Sequence, residues 1–182
     1  LVEKVSIAFK ALFPLMSTSQ EALASLFSFE DDDEEEEALP LNPPLSLDDI
    51  HSSTGYDHAW IERAVAALRD KKQCVLYGPP GTGKTFLAKK IASHLIGGGF
   101  GFCDVVQFHP SYSYEDFIEG LRPVASSTGL LEYILVEGRF KEFCDRARKL
   151  SEPCVLIVDE INRANLSRVF GELMYLLEYR EE

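Results

Sequence analysis

The chain has 182 residues, an apolar fraction of 46% and a formal net charge of −12, which fits one globular domain with residues left over. Eight consecutive carboxylates in residues 30–37 carry most of that charge and leave −4 on the remainder. The sequence therefore shows no cluster of basic residues of the kind that binds DNA. No apolar run reaches the roughly 18 residues of a membrane-spanning helix, and the four scattered cysteines lack zinc-site spacing and predict reduced thiols in a cytoplasmic protein.

The N-terminal quarter of the chain is predicted to be separate from the globular part. Apolar clusters in residues 1–29 favour one or two short helices. The acidic run and the proline-rich residues 39–44 that follow are typical of a disordered linker. We therefore divide the chain into an N-terminal segment, residues 1–46, and a globular domain, residues 47–182.

A glycine-rich loop follows the first predicted helix and strand of that domain. Asp57 is placed to cap a helix that ends near Lys71, and residues 73–77 have the apolar character of a strand. The loop fits the phosphate-binding pattern G-x-x-x-x-G-K-[ST] at every fixed position. Its residues are Gly78, Pro79, Pro80, Gly81, Thr82, Gly83, Lys84 and Thr85.

The chemistry of this loop points to a bound triphosphate. Glycines let the backbone turn sharply, and successive N–H groups then form an anion-binding nest. The helix that follows adds the positive end of its dipole. Lys84 is predicted to reach the outer phosphates, and the Thr85 hydroxyl is predicted to bind Mg²⁺.

Further elements alternate along the rest of the chain. The phosphate-loop helix is expected to end at residues 97–99, and residues 104–108 read as a second strand. Ser113 is predicted to cap a short helix that runs through Gly120. Residues 130–136 are predicted to form a strand or hairpin edge, and residues 139–150 are predicted to form a helix. The order predicts an α/β fold, a parallel sheet with helices on both faces.

An acidic strand completes the predicted site. Four apolar residues, 155–158, precede Asp159 and Glu160, as in a strand buried on both faces. Carboxylates at such a strand end need a partner. We expect Asp159 to hold Mg²⁺ and Glu160 to polarise the attacking water. A helix over residues 166–179 follows, with its apolar residues on one face.

Three stretches together, residues 78–85, 107–120 and 159–172, resemble the McrB-like branch of the AAA+ superfamily. The resemblance implies a P-loop NTPase with a three-layer αβα sheet, ATP or GTP as substrate, and Mg²⁺. It also implies a homo-oligomeric ring, commonly a hexamer, and a possible nuclease partner subunit. By the same resemblance, Asn162 and Arg163 are expected to lie near the nucleotide or the subunit boundary. The alternative for Arg163 is a solvent-exposed charge at the start of a helix, with no role at the site. His109, Tyr112 and Tyr114 are expected to be structural or interfacial.

The family's sensor strand, arginine finger and helical lid have no counterpart up to Glu182. We therefore expect a fold that is incomplete at the C-terminus, with a central gap in its sheet between the phosphate-loop strand and the acidic strand, and slow hydrolysis by this chain alone. The leading function is an NTPase motor or switch. The alternatives are an ATP-dependent protein-remodelling ATPase of the MoxR or dynein-related kind and a non-catalytic, nucleotide-gated scaffold.

Overall fold

A computed structural model describes residues 3–9, 41–125 and 131–174, with the backbone alone for residues 3–9. Residues 30–40 of the predicted linker and residues 175–179 of the last predicted helix lie outside these ranges. The prediction of disorder was wrong for Asn42, whose side chain donates to the Gly99 and Gly101 carbonyl oxygens at 2.8 and 2.6 Å. The strands are β1 (Glu3–Phe9), β2 (Gln73–Gly78), β3 (Cys103–Gln107), β4 (Glu119–Ala125), β5 (Leu131–Glu137) and β6 (Val155–Asp159). The helices are α1 (Leu47–Thr54), α2 (His58–Lys71), α3 (Lys84–Ile96), α4 (Tyr114–Phe117), α5 (Arg139–Arg148) and α6 (Leu166–Phe170).

The main sheet has the strand order β2-β1-β6-β3. Strands β3 and β6 are parallel, whereas β1 is antiparallel to both of its neighbours. The sheet is therefore mixed, and the predicted gap between the phosphate-loop strand and the acidic strand was wrong because β1 fills it. The prediction of helices in residues 1–29 was wrong for residues 3–9, since pairing with two strands satisfies this backbone on both edges.

Strand β6 shows why helices cover both faces of this sheet. Val155 and Ile157 pack into a core with helices α1, α2 and α3. Cys154, Leu156 and Val158 point the other way, into a second core with α4, α5 and α6. Successive strand residues face opposite sides of the sheet, so the apolar run of β6 contributes side chains to the cores on both faces. The predicted three-layer α/β architecture is confirmed.

Helices α1 and α2 begin at side-chain caps. Asp57 caps α2 by accepting from the Trp60 backbone N–H at 3.0 Å, as predicted. Helix α1 was not predicted from the sequence, although Ser46 and Asp49 form a capping box at its start. Both caps satisfy backbone donors that the first helical turn leaves unpaired. These two helices cover the face of the sheet beneath the phosphate loop.

One predicted helix is shorter than expected and another is interrupted. Helix α4 ends at Phe117, and the chain enters the β4–β5 hairpin, so the predicted helix through Gly120 was wrong. A short α4 fits its place, because Gly120 packs so tightly against Glu115 that an added Cβ would lie 2.4 Å from the Glu115 Cβ. Helix α6 ends at Phe170, since Gly171 takes φ 49° and ψ −127°, outside the helical range. Helical backbone resumes at residues 173–174, and the rest of the predicted helix lies outside the described residues.

A buried glycine gives the first testable prediction. A Cβ added at Gly101 would lie 1.9 Å from the Pro153 carbonyl oxygen, a backbone atom that cannot rotate away. We expect Gly101→Ala to lower the free energy of unfolding by about 2 kcal/mol or more, in the range of overpacked cores, as measured by urea denaturation. Gly99→Ala is the control, since its nearest atom is the mobile Glu152 Cγ at 3.1 Å. Equal stabilities of the two variants would contradict the prediction.

Candidate nucleotide-binding site

The phosphate-loop pattern lies between β2 and α3, as the sequence predicts. Gly81 and Gly83 both have a φ of 76°, a left-handed conformation that costs glycine little. Gly83 is also the N-terminal cap of α3, and its carbonyl accepts from Leu87 N–H at 2.9 Å. The loop backbone therefore curls directly above the positive end of a thirteen-residue helix.

Lys84 is held inside the curl of the loop. Its side chain is buried, with only 7% of the residue exposed. The Nζ atom donates to the Pro79 carbonyl oxygen at 2.7 Å. A buried ammonium group needs such partners, and here the partner belongs to the same loop. The lysine charge is thus fixed at the place where the loop is built to accept an anion.

Thr85 and Asp159 join the two predicted motifs. The Thr85 hydroxyl donates to the Asp159 carboxylate, with distances of 3.2 Å to Oδ1 and 3.1 Å to Oδ2. Asp159 ends β6 opposite Gln107 of β3, and its Oδ1 also accepts from Glu160 N–H at 3.0 Å. Residues 74 positions apart in sequence are therefore brought into direct contact at the carboxyl end of the sheet.

These oxygens fit a divalent cation. A hydroxyl and a carboxylate are the hard donors that Mg²⁺ prefers, and Mg²⁺ commonly uses only one or two protein ligands besides phosphate and water. In the part of the chain that the structure describes, no three His, Cys, Asp or Glu side chains cluster as a metal site of their own. A hydroxyl and a carboxylate suit a metal whose other ligands are phosphate oxygens and waters.

Glu160 follows Asp159 with an unusual backbone. Its φ of 53° is positive, which is uncommon for a residue with a side chain. Its carboxylate pairs with the Arg163 guanidinium, Nε to Oε2 at 2.9 Å and a second nitrogen to Oε1 at 3.5 Å. The Glu160 side chain is only 13% exposed, whereas that of Arg163 is 57% exposed. Arg163 thus holds the glutamate in place from its solvent side.

Asn162 and Arg163 belong to the short 3₁₀ turn Ile161–Arg163 that follows β6. Asn162 is exposed, and the turn directs it away from the buried core. Tyr112 of the middle motif is buried, with its ring stacked on Phe108 at a centroid distance of 4.7 Å. Tyr112 therefore packs in the core, in line with the structural role expected of it.

Tyr56 is a further residue at the loop, and it was not predicted from the sequence. The Tyr56 hydroxyl donates to the Thr82 carbonyl oxygen at 3.3 Å, and the Tyr56 ring lies against Trp60 at 5.3 Å. Tyr56 follows Gly55, which ends α1 with a φ of 71°. A single tyrosine in a turn carries no sequence signal for this contact, which depends on how α1 and α2 pack beneath the loop.

Residues 73–182 match the AAA domain of the dynein-related subfamily. The chain belongs to this family of nucleotide-dependent ATPases. The AAA domain's P-loop fold and the resemblance to the McrB-like branch are both confirmed. Within the described ranges, no helix has the length and apolar character needed to cross a membrane.

Curated relatives of this AAA domain include two restriction components. The chain is 43% identical over 145 residues to the type IV methyl-directed restriction enzyme EcoKMcrB subunit of Escherichia coli K12, covering 75% of this chain and 30% of that protein. It is 29% identical over 126 residues to the type II restriction enzyme BsuMI component YdiS of Bacillus subtilis 168, covering 57% of this chain and 37% of that protein. The matched region thus spans 30% of the first relative and 37% of the second.

A third relative is a protease. The chain is 36% identical over 103 residues to the ATP-dependent zinc metalloprotease FtsH 3 of Symbiobacterium thermophilum. That match covers 57% of this chain and 13% of the protease. The similarity is therefore confined to a small part of that protein.

Proposed function

We propose that this AAA domain binds a nucleoside triphosphate with Mg²⁺ and hydrolyses it to drive a partner. The observation that carries the proposal is the contact between Thr85 and Asp159 at 3.1–3.2 Å. It places the phosphate loop and the acidic strand at a single site, which neither motif could form alone.

Each residue of the site has a task in this proposal. The loop N–H groups from Gly78 to Thr85 and the Lys84 ammonium bind the phosphates, and Thr85 and Asp159 hold the metal. When bound, Mg²⁺ neutralises charge on the outer phosphate oxygens. Glu160 orients a water for attack on the terminal phosphorus and accepts its proton as the bond to the leaving diphosphate breaks.

The same proposal gives Arg163 a positioning role. Glu160 is nearly buried, and both of its oxygens face the guanidinium. A bidentate pair of this kind restricts the rotation of both side chains. Asn162 lies beside it in an exposed turn, where a neighbouring subunit or the nucleotide could be contacted.

We further propose that the protein acts as a homo-oligomeric ring, commonly a hexamer, with a nuclease subunit as the driven partner. The support is the similarity to a methyl-directed restriction subunit and to a second restriction component. A second candidate is ATP-dependent remodelling of proteins, which the similarity to an ATP-dependent metalloprotease favours. GTP fits a restriction function of the McrB type, and ATP fits a remodelling function.

Equilibrium binding distinguishes these functions. The purified chain is titrated with ATP and with GTP, in Mg²⁺, by isothermal titration calorimetry. We expect saturable binding of at least one of the two nucleotides. A preference for GTP supports the restriction function, whereas a preference for ATP supports the remodelling function. Binding of neither nucleotide by a folded chain would contradict the proposed function.

A further inference from the structure

Tyr56 lies at the corner between α1 and α2, in direct contact with the phosphate loop. Its hydroxyl donates to the Thr82 carbonyl oxygen at 3.3 Å. Its ring packs against Trp60, with ring centroids 5.3 Å apart, and borders the core formed by α1, α2 and α3. Nδ1 of His51 donates to the Tyr56 carbonyl oxygen at 2.7 Å. Tyr56 is therefore fixed at its backbone and at its ring, and its hydroxyl reaches the loop from a rigid base.

The Thr82 carbonyl belongs to a peptide group that has two accessible orientations. Gly83 follows it with φ 76° and ψ 18°, close to the values of about 80° and 0° at the third residue of a type II turn. Turning this peptide group over would give a type I turn, in which the same residue has a φ of about −90°. Glycine adopts both signs of φ about equally readily. Gly83 itself therefore gives little preference between the two orientations.

The orientation of this peptide decides where an N–H group of the loop points. The C=O and N–H groups of a trans peptide lie in one plane and point in opposite directions. Because the Thr82 carbonyl points toward Tyr56, the Gly83 N–H points away from Tyr56. In the other orientation the carbonyl oxygen would replace the N–H group and present negative charge to a phosphate. The peptide must therefore keep its present orientation if Gly83 is to act as one of the loop's phosphate donors.

The other contacts of the loop leave this peptide unfixed. The Thr82 hydroxyl and the Lys84 ammonium both donate to the Pro79 carbonyl oxygen, at 3.0 Å and 2.7 Å, and these bonds hold side chains. The Gly83 carbonyl accepts from Leu87 N–H, which fixes the peptide after Gly83 and not the one before it. Among the described contacts, the Tyr56 hydroxyl is the group that holds the Thr82 carbonyl.

We propose that Tyr56 is a positioning residue for the phosphate loop, whose hydroxyl holds the Thr82 carbonyl outward and thereby keeps the Gly83 N–H directed at bound phosphate. This inference rests on the proposed function. Tyr56 then acts on the phosphates and not on the base. Its effect should accordingly be the same for a nucleotide and for a triphosphate that carries no base.

Tyr56→Phe isolates the hydroxyl, because phenylalanine keeps the ring and its packing against Trp60. Tyr133→Phe is the matched control, since it removes the same group from β5, where the residue is 66% exposed. Both variants and the unchanged chain are titrated in Mg²⁺ with ATP, with GTP and with inorganic tripolyphosphate. We expect Tyr56→Phe to weaken nucleotide and tripolyphosphate binding by the same factor, about threefold to tenfold, as for one hydrogen bond. Tyr133→Phe should stay within about twofold of the unchanged chain.

The amide signal of Gly83 in ¹H–¹⁵N correlation spectra reports the peptide orientation directly. Without ligand, we expect this signal to shift or broaden in Tyr56→Phe, because both orientations are then populated. Saturation with ligand selects one orientation, so the signals of Tyr56→Phe and of the unchanged chain should then converge. A merely structural role of Tyr56 would leave a difference at saturation. Nucleotide serves as the ligand in this measurement if tripolyphosphate binds too weakly.

The outcomes separate this inference from the proposed function. Weaker nucleotide binding by Tyr56→Phe with unchanged tripolyphosphate binding would mean that the tyrosine contacts the base, and it would overturn the inference. Unchanged affinities for both kinds of ligand would overturn it as well, as would a Gly83 signal that is the same in both chains without ligand. If the folded, unchanged chain binds neither nucleotide nor tripolyphosphate, the proposed function itself fails.

Discussion

Lys84→Ala is expected to weaken nucleotide binding by about tenfold to a hundredfold, the largest loss among single changes in the phosphate loop. The Lys84 ammonium is buried in the loop and bonded to the Pro79 carbonyl. A charge-assisted hydrogen bond to phosphate contributes about 1.5–3 kcal/mol, and alanine removes both the bond and the charge. The measurement is a calorimetric titration with ATP and GTP in Mg²⁺.

Lys89→Ala is the matched control. Lys89 lies on the same helix but is exposed, so the change removes one positive charge from the chain without touching the loop. We expect its binding to stay within about twofold of the unchanged chain, because exposed charges are screened at physiological salt. Equal losses in the two variants would mean that overall charge, and not Lys84, controls affinity.

The phosphate loop and the acidic strand were predictable because their signals are local. The loop needs glycine at positive φ at Gly81 and Gly83, and a lysine and a hydroxyl at fixed positions. The burial of β6 on both faces appears directly as an unbroken apolar run. From these two patterns alone, the contact between Thr85 and Asp159 could be expected, since parallel strands end at one edge of the sheet.

Other features were not predictable because they depend on distant parts of the chain. Residues 3–9 carry Val5, Ile7 and Phe9 at alternate positions, a pattern typical of a strand, but which strands they pair with depends on β2 and β6. The pair between Glu160 and Arg163 depends on the left-handed backbone of Glu160 and the 3₁₀ turn after it. The end of α4 at Phe117 follows from the tight packing around Gly120.

Asp159→Asn is expected to abolish most of the Mg²⁺ effect on nucleotide binding. Asparagine has nearly the same shape, and its carbonyl oxygen can still accept from the Thr85 hydroxyl and from Glu160 N–H, the two bonds that Asp159 makes. The change removes the negative charge and replaces one carboxylate oxygen with an amino group, so the site attracts a divalent cation much less strongly. We therefore expect an unchanged fold and a fall of about tenfold in the ratio of affinities with and without Mg²⁺.

Asp145→Asn provides the control, since Asp145 is a carboxylate on α5 that pairs with Arg148 at 3.0 Å. It should keep the full Mg²⁺ effect. If Asp159→Asn keeps the effect, the metal is held elsewhere and the roles assigned to Thr85 and Asp159 are wrong.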